Sequence, residues 1–169
     1  MSDQDQSQFP NIIEMQASQQ ADVEAVIAAA MNADEARWAK QTFDFHFACH
    51  RHGIDSTRQF YVACVENDII GVAGLHQYRW GPEENIWLSW FAVAPPYQGH
   101  GVGKYLLREV CNIARQQGYI KIFIETYNQA TFKHAVEFYQ RQGFRPVGSV
   151  EQFLPDQSEM LVFMRAIDT

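Results

Sequence analysis

One stretch constrains this chain more than any other: Phe91-Ala-Val93-Ala-Pro95-Pro96-Tyr97-Gln98-Gly99-His100-Gly101-Val102-Gly103-Lys104. An apolar run with strand character stops at two prolines. Three glycines at alternate positions follow, and behind them opens a segment carrying Leu106, Leu107 and Val110 at helical spacing. Proline lacks the N–H that a central strand needs, so the strand ends there. Glycine admits left-handed backbone and lets N–H groups approach a ligand closely. A helix start adds partial positive charge. Strand, glycine turn and helix in that order make an anion site.

The rest of the chain frames this turn. The spacing predicts a strand over 9–15, helices over 21–31 and 34–51, and strands over 59–66 and 69–78 joined at Asn67-Asp68. A third central strand covers 85–93. A helix over 101–117 ends at Gly118, and a strand covers 119–126. A helix over 131–142 ends at Gly143, and strands cover 144–150 and 160–167. The order is βααβββαβαββ, with antiparallel neighbours first and crossover helices later. Residues 1–8 read as a disordered head and 9–169 as one domain, since 169 residues suit a single core.

Composition excludes whole classes. Apolar residues make up 47% of the chain and aromatic residues 14%, which rules out wholesale disorder. No apolar run reaches the ~18 residues of a membrane helix. The polar start, MSDQDQSQF, has no secretory character, so a cytoplasmic protein is expected. A net charge of −7 argues against nucleic acid and favours cationic partners. Cys49, Cys64 and Cys111 lie far apart inside apolar patterns and read as free, buried thiols.

The glycine turn admits several readings. A phosphate loop of the form GxxxxGK[ST] fails, because Gln98 stands where its first glycine belongs and Tyr105 where its hydroxyl belongs. A dinucleotide fingerprint, GxGxxG, finds Gly99 and Gly101 but meets Lys104 at the third glycine. Glu125 does stand roughly 20 residues on, where that fold places a ribose-binding carboxylate. A plain helix start, with glycines only for the bend, is the bland alternative.

A further reading is a resemblance. Gln98-x-x-Gly101-x-Gly103 matches the Q/R-x-x-G-x-G/A motif of the GNAT superfamily of acyl-CoA-dependent N-acetyltransferases. Ala135-Val-Glu-Phe-Tyr139-Gln-Arg-Gln-Gly143-Phe144 is similar to the same family's A-x-x-F-Y-x-x-x-G-F signature. The two motifs together, in order, are far more specific than either alone. The resemblance covers the chain from about Gln59 onward; the first two helices match only in kind. It implies an α/β fold of the α+β type: a mixed, mostly antiparallel sheet of about seven strands flanked by four helices.

The resemblance also implies roles. The pyrophosphate of coenzyme A would lie on the amides of Gln98, Gly99, His100, Gly101, Val102, Gly103 and Lys104. The pantetheine arm would pair with Phe91, Ala92 and Val93 like an added strand. Tyr139, four residues before Gly143, would be the general acid that protonates the departing thiolate. Its alternative is a core aromatic beside Phe138. Two positions depart from the family. The strand glutamate that many members carry eleven residues before the motif's glutamine is Trp87 here, which cannot be a base. Glu84 or Glu125 would then be the base, directly or through water. The asparagine often found seven before the tyrosine is Phe132, and Asn128 would substitute for it or cap the helix.

Outside the motifs, His46 and His50 share a helix face at i, i+4. No third ligand at a characteristic spacing accompanies them, so no metal is expected and a partly exposed helix face is the plain reading. The resemblance implies that this helix borders the acceptor site, where His46 and His50 would read substrate. Alternation puts Trp87, Ser89 and Phe91 on one strand face, where Trp87 would line the acceptor pocket. The reading implied is an N-acetyltransferase that moves acetyl from acetyl-CoA to a primary amine of a small molecule or peptide in a ternary complex. A non-catalytic acyl-CoA-binding module on the same fold is the alternative, and a nucleotide-binding oxidoreductase the more distant one. No nucleic-acid or membrane partner is expected, and exposed strand edges could support a homodimer.

Overall fold

A computed structural model of the chain describes residues 9–167; the head expected over residues 1–8 lies outside them. The elements follow the expected order: β1 (Asn11–Glu14), α1 (Gln20–Ala30), α2 (Ala33–Arg51), β2 (Arg58–Val65), β3 (Asp68–His76), β4 (Asn85–Val93), α3 (Val102–Gln116), β5 (Lys121–Tyr127), α4 (Lys133–Arg141), β6 (Arg145–Val150) and β7 (Met160–Ala166). The strands form one seven-stranded sheet in the order β1-β2-β3-β4-β5-β7-β6. β4 and β5 run parallel, while β1–β2, β5–β7 and β6–β7 are antiparallel. A parallel pair needs a long crossover, and α3 supplies it. This mixed sheet with four helices is the expected fold class.

The chain divides into two compact units. Among the described residues, one unit is 9–74 together with Trp90–Val110; the other is Leu75–Ser89 together with 111–167.

In the first unit, α2 buries a stripe at i, i+4 spacing: Glu35, Ala39, Phe43 and Phe47. Val23, Val26 and Ile27 of α1 join it, with Phe60 and Val62 of β2 and Val72 of β3. Phe43 meets Phe60 edge-on at 4.8 Å between ring centres. Fully burying a side chain of that size contributes roughly 1.5–3 kcal/mol. Asn32 caps α2, its Oδ1 accepting the Glu35 N–H at 2.9 Å. Gly71 permits a close approach: a Cβ there would lie 3.2 Å from the Ala92 carbonyl oxygen and 3.4 Å from Leu106 Cδ2.

In the second unit, β5 alternates cleanly. Ile122, Ile124 and Thr126 are buried; Phe123, Glu125 and Tyr127 face the other way. β4 matches it, with Ile86 and Leu88 buried and Asn85, Trp87 and Ser89 half-buried. Arg165 of β7 anchors the buried side. Its Nη1 donates to the Gln142 carbonyl at 2.7 Å, its Nη2 to Cys111 Sγ at 2.9 Å, and its guanidinium lies 4.9 Å from the Phe144 ring centre. One of the carbonyls past the end of α4 is thereby satisfied.

Three expectations shift. The β2–β3 turn is Glu66-Asn67 rather than Asn67-Asp68, because Glu66 takes the left-handed conformation at φ +54°. α4 begins at Lys133 rather than at residue 131, because a 3-10 turn occupies Ala130–Phe132. The third concerns β4. Trp90 adopts φ +48°, so the alternation that put Phe91 on the face of Trp87 and Ser89 breaks there. Ser89, Trp90 and Phe91 are half-buried in succession, and then Ala92 and Val93 are both buried.

Candidate active site

The glycine turn belongs to the first unit. β4 ends at Val93, Pro95–Tyr97 make a 3-10 turn, and α3 starts at Val102. Gly99 and Gly101 take φ +76° and +85°, which glycine adopts without the penalty of a Cβ. Among the described residues nothing lies within 4 Å of a Cβ built on either. The first helical bond of α3 runs from Tyr105 N–H to the Gly101 carbonyl at 3.0 Å. Val102, Gly103 and Lys104 form the first turn, where a helix leaves its N–H groups without an intrahelical acceptor, at the positive end of the helix. His100 and Lys104 are exposed beside them.

Gln98 plays a different part from its neighbours. Its backbone N–H donates to the Pro95 carbonyl at 3.2 Å and its side-chain Nε2 to the Val93 carbonyl at 2.7 Å. It braces the turn against the end of the strand. The expectation that its own amide meets an anion is corrected: that N–H closes the 3-10 turn.

The strand leading into the turn carries strain. Trp90 is bulky and left-handed, a state costing of order 1–3 kcal/mol that persists only where the surroundings hold it. It comes just after the β4–β5 ladder, whose register runs from Asn85↔Lys121 to Leu88↔Ile124. β5 itself continues, pairing with β7 as far as Tyr127↔Met160.

Also in the first unit, His46 of α2 is half-buried, its Nδ1 2.7 Å from Ser56 Oγ and its ring edge-on to Phe47 and Phe60. Burial, with the neighbouring His50, holds its pKa below the usual histidine value. His50 is exposed. Among the described residues no group of three or more His, Cys, Asp or Glu side chains is placed to hold a metal ion.

The second unit holds the other candidates. Tyr139 of α4 is 6% exposed and packs its ring against Phe138 and Phe144. Burial pushes its pKa well above the ordinary phenol value. Phe132 is buried and edge-on to Tyr127. Asn128 is exposed, and its N–H donates to the Glu159 carbonyl at 2.9 Å. The turn before α4 begins at Gln129, so Asn128 is not the helix cap. Glu84 is exposed, and its carbonyl accepts the N–H groups of Ile120 and Lys121. Glu125 is exposed on β5. Trp87 stacks on Phe123 at 4.9 Å and lies 6.2 Å from His76.

Sequence reasoning passed over two features. Glu35 is 6% exposed on the buried stripe of α2. Burial, and then Asp34, raise its pKa from 4.5 to about 7. Its signal was its place at i−4 from Ala39 in the apolar series. The side-chain oxygens Asn85 Oδ1 and Ser89 Oγ are buried with no hydrogen-bond partner among the described residues. Only their two-residue spacing on either side of Trp87 could have drawn attention to them.

The sequence family model described as "Acetyltransferase (GNAT) family" matches residues 23–144, which include the glycine turn and Tyr139. The chain belongs to this GNAT acetyltransferase family. It is 31% identical over 110 residues to N-acetyltransferase 8B of Rattus norvegicus, a match covering 64% of this chain and 47% of that protein. It is 33% identical over 104 residues to the amino-acid acetyltransferase of Pectobacterium atrosepticum, covering 61% of this chain and 21% of that one. The chain thus spans about a fifth to a half of the length of these curated relatives. Among solved structures, a protein described as a GNAT-family acetyltransferase from Desulfovibrio desulfuricans superposes with a TM-score of 0.81 at 24% identity, over 94% of this chain and 99% of that one. An aminoglycoside 6'-N-acetyltransferase complexed with coenzyme A superposes with a TM-score of 0.73 at 13% identity, over 94% and 98%. These likenesses establish the GNAT fold.

Proposed function

We propose that this GNAT-family chain transfers an acetyl group from acetyl-CoA to a primary amine of a small molecule or peptide, by direct attack in a ternary complex. One observation carries the reading: the left-handed Gly99 and Gly101, with no described residue within 4 Å of a Cβ on either, lead into the first-turn N–H groups of Val102, Gly103 and Lys104 at the start of α3. That donor set fits a pyrophosphate. When bound, acetyl-CoA supplies an acyl carbon activated as a thioester and a thiolate leaving group.

The chain's own residues divide the remaining work. Val102–Lys104 bind the diphosphate, with His100 at the rim, and Gln98 holds the turn in place. Phe91, Ala92 and Val93, which fall outside the β4–β5 ladder, receive the pantetheine arm as a strand partner. A backbone N–H near Val93 stabilises negative charge developing on the thioester oxygen. Tyr139, placed by the family motif, stays protonated at neutral pH and donates to the departing thiolate. Glu84 or Glu125, directly or through water, takes the proton lost by the attacking ammonium. Asn128 contacts the cofactor, and His46 and His50 read the acceptor. In this reading residues 9–169 act as one catalytic domain in the cytoplasm. Among the described residues no helix is long and apolar enough to cross a membrane.

Trp87 favours a second reading, a non-catalytic acyl-CoA-binding module, since it stands where many family members carry a carboxylate base. Thiol release from acetyl-CoA in the presence of primary amines separates the two. Turnover that falls in Tyr139→Phe supports the transferase; tight acetyl-CoA binding with no turnover on any amine supports the binding module.

A further inference from the structure

The aromatic cluster of the second unit is built unlike a core. Trp87, Phe123 and His76 stand on three strands, the Phe123 and His76 ring planes lying 25° and 23° from that of Trp87. Tyr78 meets His76 and Trp87 edge-on at 5.4 and 5.6 Å. Trp80 lies 6.3 Å from Tyr78 and is 86% exposed. Trp87 and Phe123 are only half-buried, while the opposite face of the same strands is closed by Ile86, Leu88, Ile122 and Ile124.

Two polar atoms flank this cluster. Asn85 Oδ1 and Ser89 Oγ, two residues before and after Trp87 on the same strand face, are buried with no hydrogen-bond partner among the described residues. Leaving such an atom unpaired is unfavourable, so a ligand group that pairs it is favoured there. Both oxygens accept N–H donors. Glu125, two residues after Phe123 on the same face of β5, adds a carboxylate. Flat apolar rings, accepting oxygens and negative charge together fit a cation with a flat body.

We infer that this face is the acceptor subsite and that the acceptor is an arylalkylamine, a primary ammonium on a short chain bearing an aromatic ring. The ring lies against Trp87, Phe123 and Tyr78, and the nitrogen is drawn by Ser89, Asn85 and Glu125. This rests on the acetyltransferase reading and names its substrate class.

The test uses the full chain, acetyl-CoA, and two amines of equal charge, 2-phenylethylamine and n-hexylamine, with thiol release as the readout. The expected kcat/KM favours the aromatic amine about 10-fold or more, the discrimination an apolar contact of this size supports. Trp87→Ala removes that preference by raising KM for 2-phenylethylamine, while the acetyl-CoA Kd stays the same. Trp87→Phe, which keeps a ring and the fold, restores most of it. Equal kcat/KM for the two amines, or a Trp87→Ala loss shared equally by both, overturns the inference. Should no amine release thiol, the acetyltransferase reading fails by itself. The subsite is then judged by saturable quenching of tryptophan fluorescence by 2-phenylethylamine: quenching lost in Trp87→Ala sustains it, and its absence in the parent chain overturns it.

Discussion

Gln98 Nε2 donates to the carbonyl oxygen of Val93 at 2.7 Å, so a side chain inside the glycine turn is tied to the last residue of β4. The amides that follow are held in register with the strand end by this bond. Gln98→Ala removes it without touching those amides. Losing one such bond costs about 1 kcal/mol, so the coenzyme A Kd is expected to rise about 5-fold, measured by titration calorimetry. An unchanged Kd would mean that the turn is rigid without its brace.

Gly101→Ala tests the backbone rather than a contact. A Cβ there meets no described residue within 4 Å, yet φ is +85°. The penalty is therefore conformational, about 1–2 kcal/mol. Thermal melts are expected to show a loss of a few degrees, with a larger loss of coenzyme A affinity. Gly53, also left-handed and open but far along the sequence from the turn, supplies the control: Gly53→Ala should cost stability alone.

Tyr139→Phe keeps the packed ring and removes the hydroxyl. Because burial raises the phenol pKa, no ionisation of this group should shape the rate near neutral pH. A kcat decrease of about 100-fold with little change in acetyl-CoA KM is expected, within the range of lost general-acid catalysis. A wild-type rate in steady-state kinetics would return Tyr139 to the core.

Glu35 makes stability depend on pH. Its folded pKa of about 7 lies above the ordinary 4.5. Folding therefore favours the protonated form: this contribution is fully present below about pH 4.5 and lost as pH rises through about 7. Glu35→Gln should stabilise the protein at pH 8 by about 2 kcal/mol after solvent screening is allowed for, and leave it nearly unchanged at pH 4.5. Calorimetric melts at the two pH values check this; a variant less stable at pH 8 would contradict it.

Much of the fold was legible because its signals were local. Strand alternation, prolines at the end of β4, and Gly118 and Gly143 past two helices each marked an element without reference to the rest. The glycine turn was legible for the same reason. Trp90 was not: nothing about a tryptophan inside an apolar strand announces a left-handed residue, so the face assigned to Phe91 was displaced. Gln98 read as a ligand contact, whereas its side chain reaches back five residues to Val93. The unpaired oxygens beside Trp87 depend on which neighbours fail to reach them, and that is settled only by packing.

The central claim is that the glycine turn seats coenzyme A. Thermal unfolding with and without saturating acetyl-CoA, coenzyme A, NAD and ATP tests it most directly. A ligand at about 100 times its Kd adds roughly 2.7 kcal/mol, a shift of about 5–10 °C in a chain of this size. The expected result is a shift with acetyl-CoA and coenzyme A that is absent with NAD and ATP. A shift with NAD alone, or with none of the four, would contradict the account.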